Sequence, residues 1–278
     1  MDTSELGDLW GKTLRSAIPT TDQFDRLARS VLETFATGDT RFLRHINNRS
    51  DRVMARTGQH FDAENFDLAM ARAFVADEMG FRSWDELNGA VNDRSPGARP
   101  MLFHYAVAAM DMGNFSSLET TIGGPAHFHD RIVDWHENGL FDDEPETLAE
   151  IFAASCMLGH AKTAEYLLDK GVDPYAGMKT GLAGFHYAVS GGRLDVTRLL
   201  IDRKVPVGIR NMYGGTVFEQ ALWSAINEHS PNHASIIEAL IESGVEIETG
   251  TLDWWETQEA PSDETKKRVA DALRQIAV

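Results

Sequence analysis

Apolar residues recur at helical spacing along most of the chain. Thr20-Thr-Asp-Gln23 reads as a Thr N-cap with a Gln three residues on, and Phe24, Leu27, Val31 and Phe35 then fall on one face. Gly38 stops that helix, and Asp39 can cap a short second one over TRFLRHI. A third helix, roughly 63–79, carries FDLAMARAFVADEM and ends at Gly80. Ser83 and Glu86 give a capping-box pattern at the head of SWDELNGAV. The stretch DRSPGARP at 93–100 gathers turn residues and charge, so it reads as the end of an N-terminal helical module, residues 1–95.

Beyond that point the pattern repeats. GHAKTAEYLLDKGVDP begins at Gly159 and GRLDVTRLLIDRKVPV at Gly192, 33 residues later. Leu168 to Ile201, Val172 to Val205 and Gly181 to Gly214 keep the same offset of 33. A further second-helix copy, NHASIIEALIESGVEI at 232–247, comes 40 residues after its predecessor, an insertion of about seven. Its Ile236, Ala239 and Leu240 reappear 33 residues on as Val269, Ala272 and Leu273. The string FHYAV occurs at 103–107 and again at 185–189. A fixed period with apolar positions at i, i+3 and i+4 inside each unit predicts helix pairs stacked as a solenoid. One pair cannot bury its apolar face alone, so neighbours must cover it. The expected fold is all-α.

These units resemble the ankyrin repeat family. Asn211-Met-Tyr-Gly-Gly-Thr216-Val-Phe-Glu219 follows the family's opening turn, with Asn for Asp, Val for Pro and Glu for His. Phe185-His186-Tyr187-Ala188-Val189 follows L-H-x-A-A; Gly159-His160 and Leu167-Leu168-Asp-Lys-Gly171-Val172 follow G-H and L-L-x-x-G-A. The resemblance covers residues 96–278 as about five degenerate units, with an insert near 125–146 and a C-terminal capping helix. It implies an ankyrin-type helix-pair solenoid behind the N-terminal helical module. The leader, LARSVLETFATGDTRFLRHI followed by FDLAMARAFVADEMGFRSWDEL, is similar to helical segments that precede such repeats in many bacterial proteins. In the family pattern the repeated His is structural, its ring bonding backbone around the turns. Phe185 and Leu199/Leu200 are then expected between layers. Ser262 should cap a last helix that buries Val269, Leu273 and Ile276.

Composition narrows the function. The net charge is −17, with 26 basic and 43 acidic residues, which repels phosphate backbones and disfavours nucleic acid. There is no apolar run of membrane-spanning length and no secretory h-region, so a cytoplasmic protein without membrane contact is expected. The single cysteine, Cys156, excludes an intrachain disulfide and reads as a buried structural thiol.

Candidate chemistry is sparse. WGKT at 10–13 lacks the leading Gly of a phosphate loop, because position 6 is Leu, and no strand precedes it. The insert holds His127, His129, Asp130, Asp134 and His136. His129 and His136 share a helical face but stand about 10 Å apart along the axis, too far for one zinc ion. His127, Asp130 and Asp134 are the candidates for a weak metal site; the amphipathic reading buries Phe128, Ile132 and Trp135 instead. No cofactor is implied. What remains is the surface such stacks present. The turn-tip positions are Lys179, Thr180 and Leu182, then Met212 and Tyr213; the exposed first-helix positions include Met157, Leu158 and Trp223. Large apolar side chains there point to a non-catalytic protein–protein interaction module, with a partner bearing a basic patch. Two alternatives belong to other classes: a metal-dependent or small-molecule-processing enzyme using 125–146, and an acidic inhibitor of the immunity or antitoxin type.

Overall fold

The computed structural model describes residues 2–16, 18–57, 66–95, 97–228, 230–260 and 262–276, with backbone alone over 50–57. Among the described residues there are sixteen helices and one isolated bridge, between Arg210 and Thr216. The chain divides into two units, 1–131 and 132–278. The expected module boundary at 93–100 falls within the first of them.

The first unit begins with α1 (Thr3–Leu14), α2 (Thr21–Ala36) and α3 (Thr40–Thr57). WGKT lies inside α1, as helix and not as a loop. Thr20 and Gln23 form the full capping box of α2, and Phe24, Leu27 and Val31 are buried. Phe35 is half-buried and stacks on Phe66 at 4.3 Å. Asp39 accepts from the amides of Arg41 and Phe42, both at 2.9 Å, and so starts α3. That helix is far longer than TRFLRHI: it continues to Thr57, because neither Gly nor Pro interrupts the sequence after Thr40.

Next come α4 (Leu68–Glu78) and α5 (Trp84–Asn92). The helix expected from 63 starts only at Leu68, where Asp67 caps it by accepting from Met70; residues 63–65 lie outside the described residues. Ser83 caps α5 through the Glu86 amide, but the Glu86 carboxylate reaches past it to the Arg82 amide at 2.7 Å. Then α6 (Met101–Asp111), which holds the first FHYAV, pairs with α7 (Phe115–Thr121). In this unit α2 packs on α1, α4 and α5, while α4 also meets α3 and α6. On α8 (Pro125–Glu137), Phe128, Ile132 and Trp135 are buried while His127, Asp130 and Asp134 are exposed, the amphipathic pattern of the insert.

The second unit is two rows of helices. One row is α9 (Pro145–Leu158), α11 (Gly184–Ser190) and α13 (Val217–Asn227). The other is α10 (Ala161–Asp169), α12 (Leu194–Asp202), α14 (His233–Glu242) and α16 (Asp263–Ile276). Each row packs in sequence, α9 on α11 on α13 and α10 on α12 on α14 on α16, and each pair packs across the rows. This is the helix-pair solenoid that the period of 33 predicts. Phe185 and Leu200 are buried between layers, and Leu199 is half-buried. The short α15 (Thr251–Thr257) stands in for a first helix in the last layer. Its buried Trp255 donates to the Lys266 carbonyl at 3.1 Å, and the Lys266 ammonium returns bonds to the carbonyls of Trp255 and Gln258.

The capping helix differs from expectation in one residue. Ser262 accepts from the Thr265 amide at 3.1 Å, and Val269 and Leu273 are buried. Ile276 is 49% exposed. By the 33-residue offset Ile276 aligns just past Glu242, the last residue of α14, while Leu273 still lies over that helix.

Candidate functional site

The end of each second helix is built alike. The amides of Gly171 and Val172 donate back to Leu168 and Leu167, both at 3.0 Å; Lys204 and Val205 do the same to Ile201 and Leu200 at 2.9 Å. Gly244 and Val245 repeat the pair with Ile241 and Leu240 at 3.0 and 3.4 Å. Two adjacent closing bonds with a left-handed residue between them make a helix-ending motif that needs φ above zero. Lys204 meets that need at φ +57° where the neighbouring units use glycine.

The turn tips are held from three sides. Asn211 Oδ1 accepts from the amides of Tyr213 and Gly215 at 2.9 and 3.0 Å, and the Asn211 amide donates to the Gly215 carbonyl at 2.9 Å. This fixes the loop 211–215 as a tight turn with an Asn in the role the Asp usually takes. His186 lies fully buried below it, with Nε2 3.3 Å from the Gly215 carbonyl. Burial pushes the His186 imidazole below its ordinary value, and hydrogen bonding to the Gly215 and Ile209 carbonyls opposes that only in part. The structural role expected for this His therefore holds. In the first copy, the His104 ring lies 4.9 Å from Phe81, a packing role in a different layer. His233 makes a similar cross-layer contact, Nε2 standing 3.2 Å from the Ser190 carbonyl, while Asn232 donates to Gly192 at 3.0 Å.

Glu219, where the pattern lacks its His, does something else. Its carboxylate accepts from the Thr216 amide at 2.6 Å, and its own amide donates to the Thr216 hydroxyl at 3.3 Å. Thr216-x-x-Glu219 is thus a reciprocal cap on α13, legible in the sequence as T-x-x-E but overlooked behind the family pattern. At Ala153, where the family pattern also places a His, the loop backbone comes down onto α9. A Cβ on Gly177 would lie 2.3 Å from the Ala149 carbonyl oxygen and 3.2 Å from the Ala153 methyl, leaving no space for an imidazole.

Residues 151–251 match the family model of ankyrin repeats, in three copies. This stretch is built of ankyrin repeats. Curated proteins and solved structures gave no match. Ankyrin repeats are in general protein–protein interaction modules. No described helix is long and apolar enough to cross a membrane.

In the ankyrin frame the candidate surface residues fall into two sets. At the tips, Met212 is 64% and Tyr213 83% exposed. The Lys179 amide donates to the buried Glu150 at 2.8 Å, its ammonium lies 3.6 Å from Glu146, and the Thr180 hydroxyl bonds the Tyr187 hydroxyl. Leu182 is half-buried beside them. The Met212 amide bonds the Gly181 carbonyl at 2.9 Å, which joins the tip 179–182 to the tip 211–215. On the helix row, Trp223 is 52% exposed despite the insertion that follows it, which goes largely into lengthening α13 to 11 residues against 7 in α11. Met157 and Leu158 are half-buried at the end of α9, and Arg193 Nε donates to the Met157 carbonyl at 2.8 Å.

Two reactive side chains, Cys156 and His136, are committed to packing. Cys156 is buried, and burial alone drives its thiol far above the ordinary range, so a thiolate does not form at neutral pH. His136 Nδ1 lies 2.9 Å from the Tyr166 hydroxyl, which commits that ring to α10. Among the described residues, no three His, Cys, Asp or Glu side chains are gathered as a metal ion would require.

Proposed function

We propose that this protein binds a protein partner through the tips 179–182 and 211–215 and the exposed side of the first-helix row, without catalysis. The observation that carries the reading is the exposure of Met212 and Tyr213 on a turn held by Asn211, and of Trp223 on α13. Large apolar and aromatic side chains on a preorganised frame are what interface centres use, because little ordering entropy is lost on binding. Lys179, Thr180, Leu182, Met157 and Leu158 would form the less energetic surround. With a charge of −17, the chain attracts a partner carrying a basic patch, and that attraction weakens as salt is added.

Photocrosslinking tests the face. A photoreactive phenylalanine analogue placed at Tyr213 should yield a discrete crosslinked product in native extract, and the same analogue at Trp254, exposed on the capping layer, should not. Equal labelling from both positions would refute the assignment.

A further inference from the structure

Three turn tips of the second unit stand in one row. Each leads into a helix of the first row: 142–146 into α9, 179–182 into α11 and 211–215 into α13. Contacts join them in order. The Lys179 amide donates to Glu150 of α9 at 2.8 Å, and the Lys179 ammonium lies 3.6 Å from Glu146. The Met212 amide in turn donates to the Gly181 carbonyl at 2.9 Å.

The two ends of this row differ in chemistry. The first tip is acidic: Asp142, Asp143, Glu144 and Glu146 fall within five residues. Asp142 and Asp143 are exposed, and the Glu146 side chain is 83% exposed. Lys179 offsets one of these charges only. Between Arg131 and Lys162 the chain has seven acidic residues and no Lys or Arg. The third tip is apolar, with Met212 and Tyr213 both turned to solvent.

The amides of the third tip are committed. Asn211 Oδ1 accepts from Tyr213 and Gly215, the Gly214 amide donates to the Asn211 carbonyl, and that of Met212 goes to Gly181. A partner is therefore read here by side chains and not by adding a strand. The stacking of layers sets the distance between the two chemistries. Packed helices stand about 8–10 Å apart, so two layers put the first tip about 16–20 Å from the third. An extended chain covers that distance in about five or six residues.

We propose that the partner enters this row as an extended linear segment. It sets an apolar side chain on Met212 and Tyr213, and a cluster of Lys or Arg about five or six residues away against Asp142 and Glu146. The inference rests on the tips being the binding face and adds the form of what they bind: an unfolded basic segment in place of a folded basic surface. Exposed charges on the acidic tip make that half of the contact sensitive to salt, while the apolar half is not screened.

Selection of a displayed library of random linear peptides, about 16 residues long, on the immobilised full chain tests it. Enriched peptides should share an apolar or aromatic residue with at least two Lys or Arg about five or six residues from it. One such peptide, synthesised, should bind the full chain in fluorescence anisotropy. Tyr213→Ala should weaken it about tenfold or more, and Asp142→Asn with Glu146→Gln about three- to tenfold, at an unchanged urea midpoint. The second loss should disappear at about 1 M salt. Moving the basic cluster about three residues along the peptide should cost as much as removing the two carboxylates. No enrichment, a consensus without basic residues, or affinity indifferent to the carboxylates or to the spacing would overturn the proposal. If crosslinking at Tyr213 still yields its product in that case, the binding face stands and its partner is a folded surface. If crosslinking fails too, the face itself is refuted.

Discussion

The amide of Met212 donates to the carbonyl of Gly181 across 2.9 Å, tying together the tips of two successive turns. Gly181 has φ +81°, and a Cβ added to it would lie 2.4 Å from the Met212 sulfur. Backbone conformation and close approach therefore both require glycine. Gly181→Ala should lower stability by about 1–3 kcal/mol, read as a lower urea midpoint, and displace the Met212–Tyr213 tip. An unchanged midpoint would mean that the two tips are not locked together.

Lys204 occupies the left-handed helix-ending position that glycine holds at 171 and 244. A side chain there costs free energy that glycine does not incur, against a smaller entropic penalty in the unfolded chain. Lys204→Gly should stabilise the protein by about 0.5–1 kcal/mol in urea denaturation. The reverse change, Gly171→Lys, should destabilise it by a similar amount.

His186 is buried with its pKa held below the ordinary 6.5. The unfolded chain then takes up a proton that the folded chain refuses, so stability rises with pH across this window. The urea midpoint should fall progressively as pH drops below about 6.5 and stay flat with respect to this group above it. His186→Gln should be less stable at neutral pH but lose less on acidification. A parallel decline in both proteins would remove His186 as the cause.

Much of the second unit is legible in the sequence because each repeat solves the same packing problem with the same residue types. Gly159 and Gly192, Leu168 and Ile201, Val172 and Val205 report the period before any coordinate is known. The pattern fails where one residue takes over another's task. Glu219 stands at a His position and caps its helix instead. Ala153 makes room for the backbone at Gly177, a contact between α9 and a loop that no local spacing encodes. Ile276 fits the apolar stripe of α16 but lies beyond the layer below, because a periodic stripe says nothing of where its partner helix ends.

The first unit is less legible for a related reason. Its helix starts can be read from Thr20, Asp39 and Ser83, yet the extent of α3 cannot, since its polar second half carries no stop signal. Trp10, Phe42, Phe74 and Tyr105, spread across almost a hundred residues, are brought to the edge of one open hollow in this unit. Each alone reads as ordinary core, and no local spacing shows that they converge.

The central claim is that Tyr213 and Trp223 carry the energy of protein binding. The direct measurement is a calorimetric titration of the partner recovered by crosslinking at Tyr213, purified, against the wild-type chain and the Tyr213→Ala, Trp223→Ala double variant, with the urea midpoint of both recorded. Two aromatic anchors of this kind predict an affinity loss of about a hundredfold or more with the midpoint essentially unchanged. Equal affinity for the two chains, at equal stability, would contradict it.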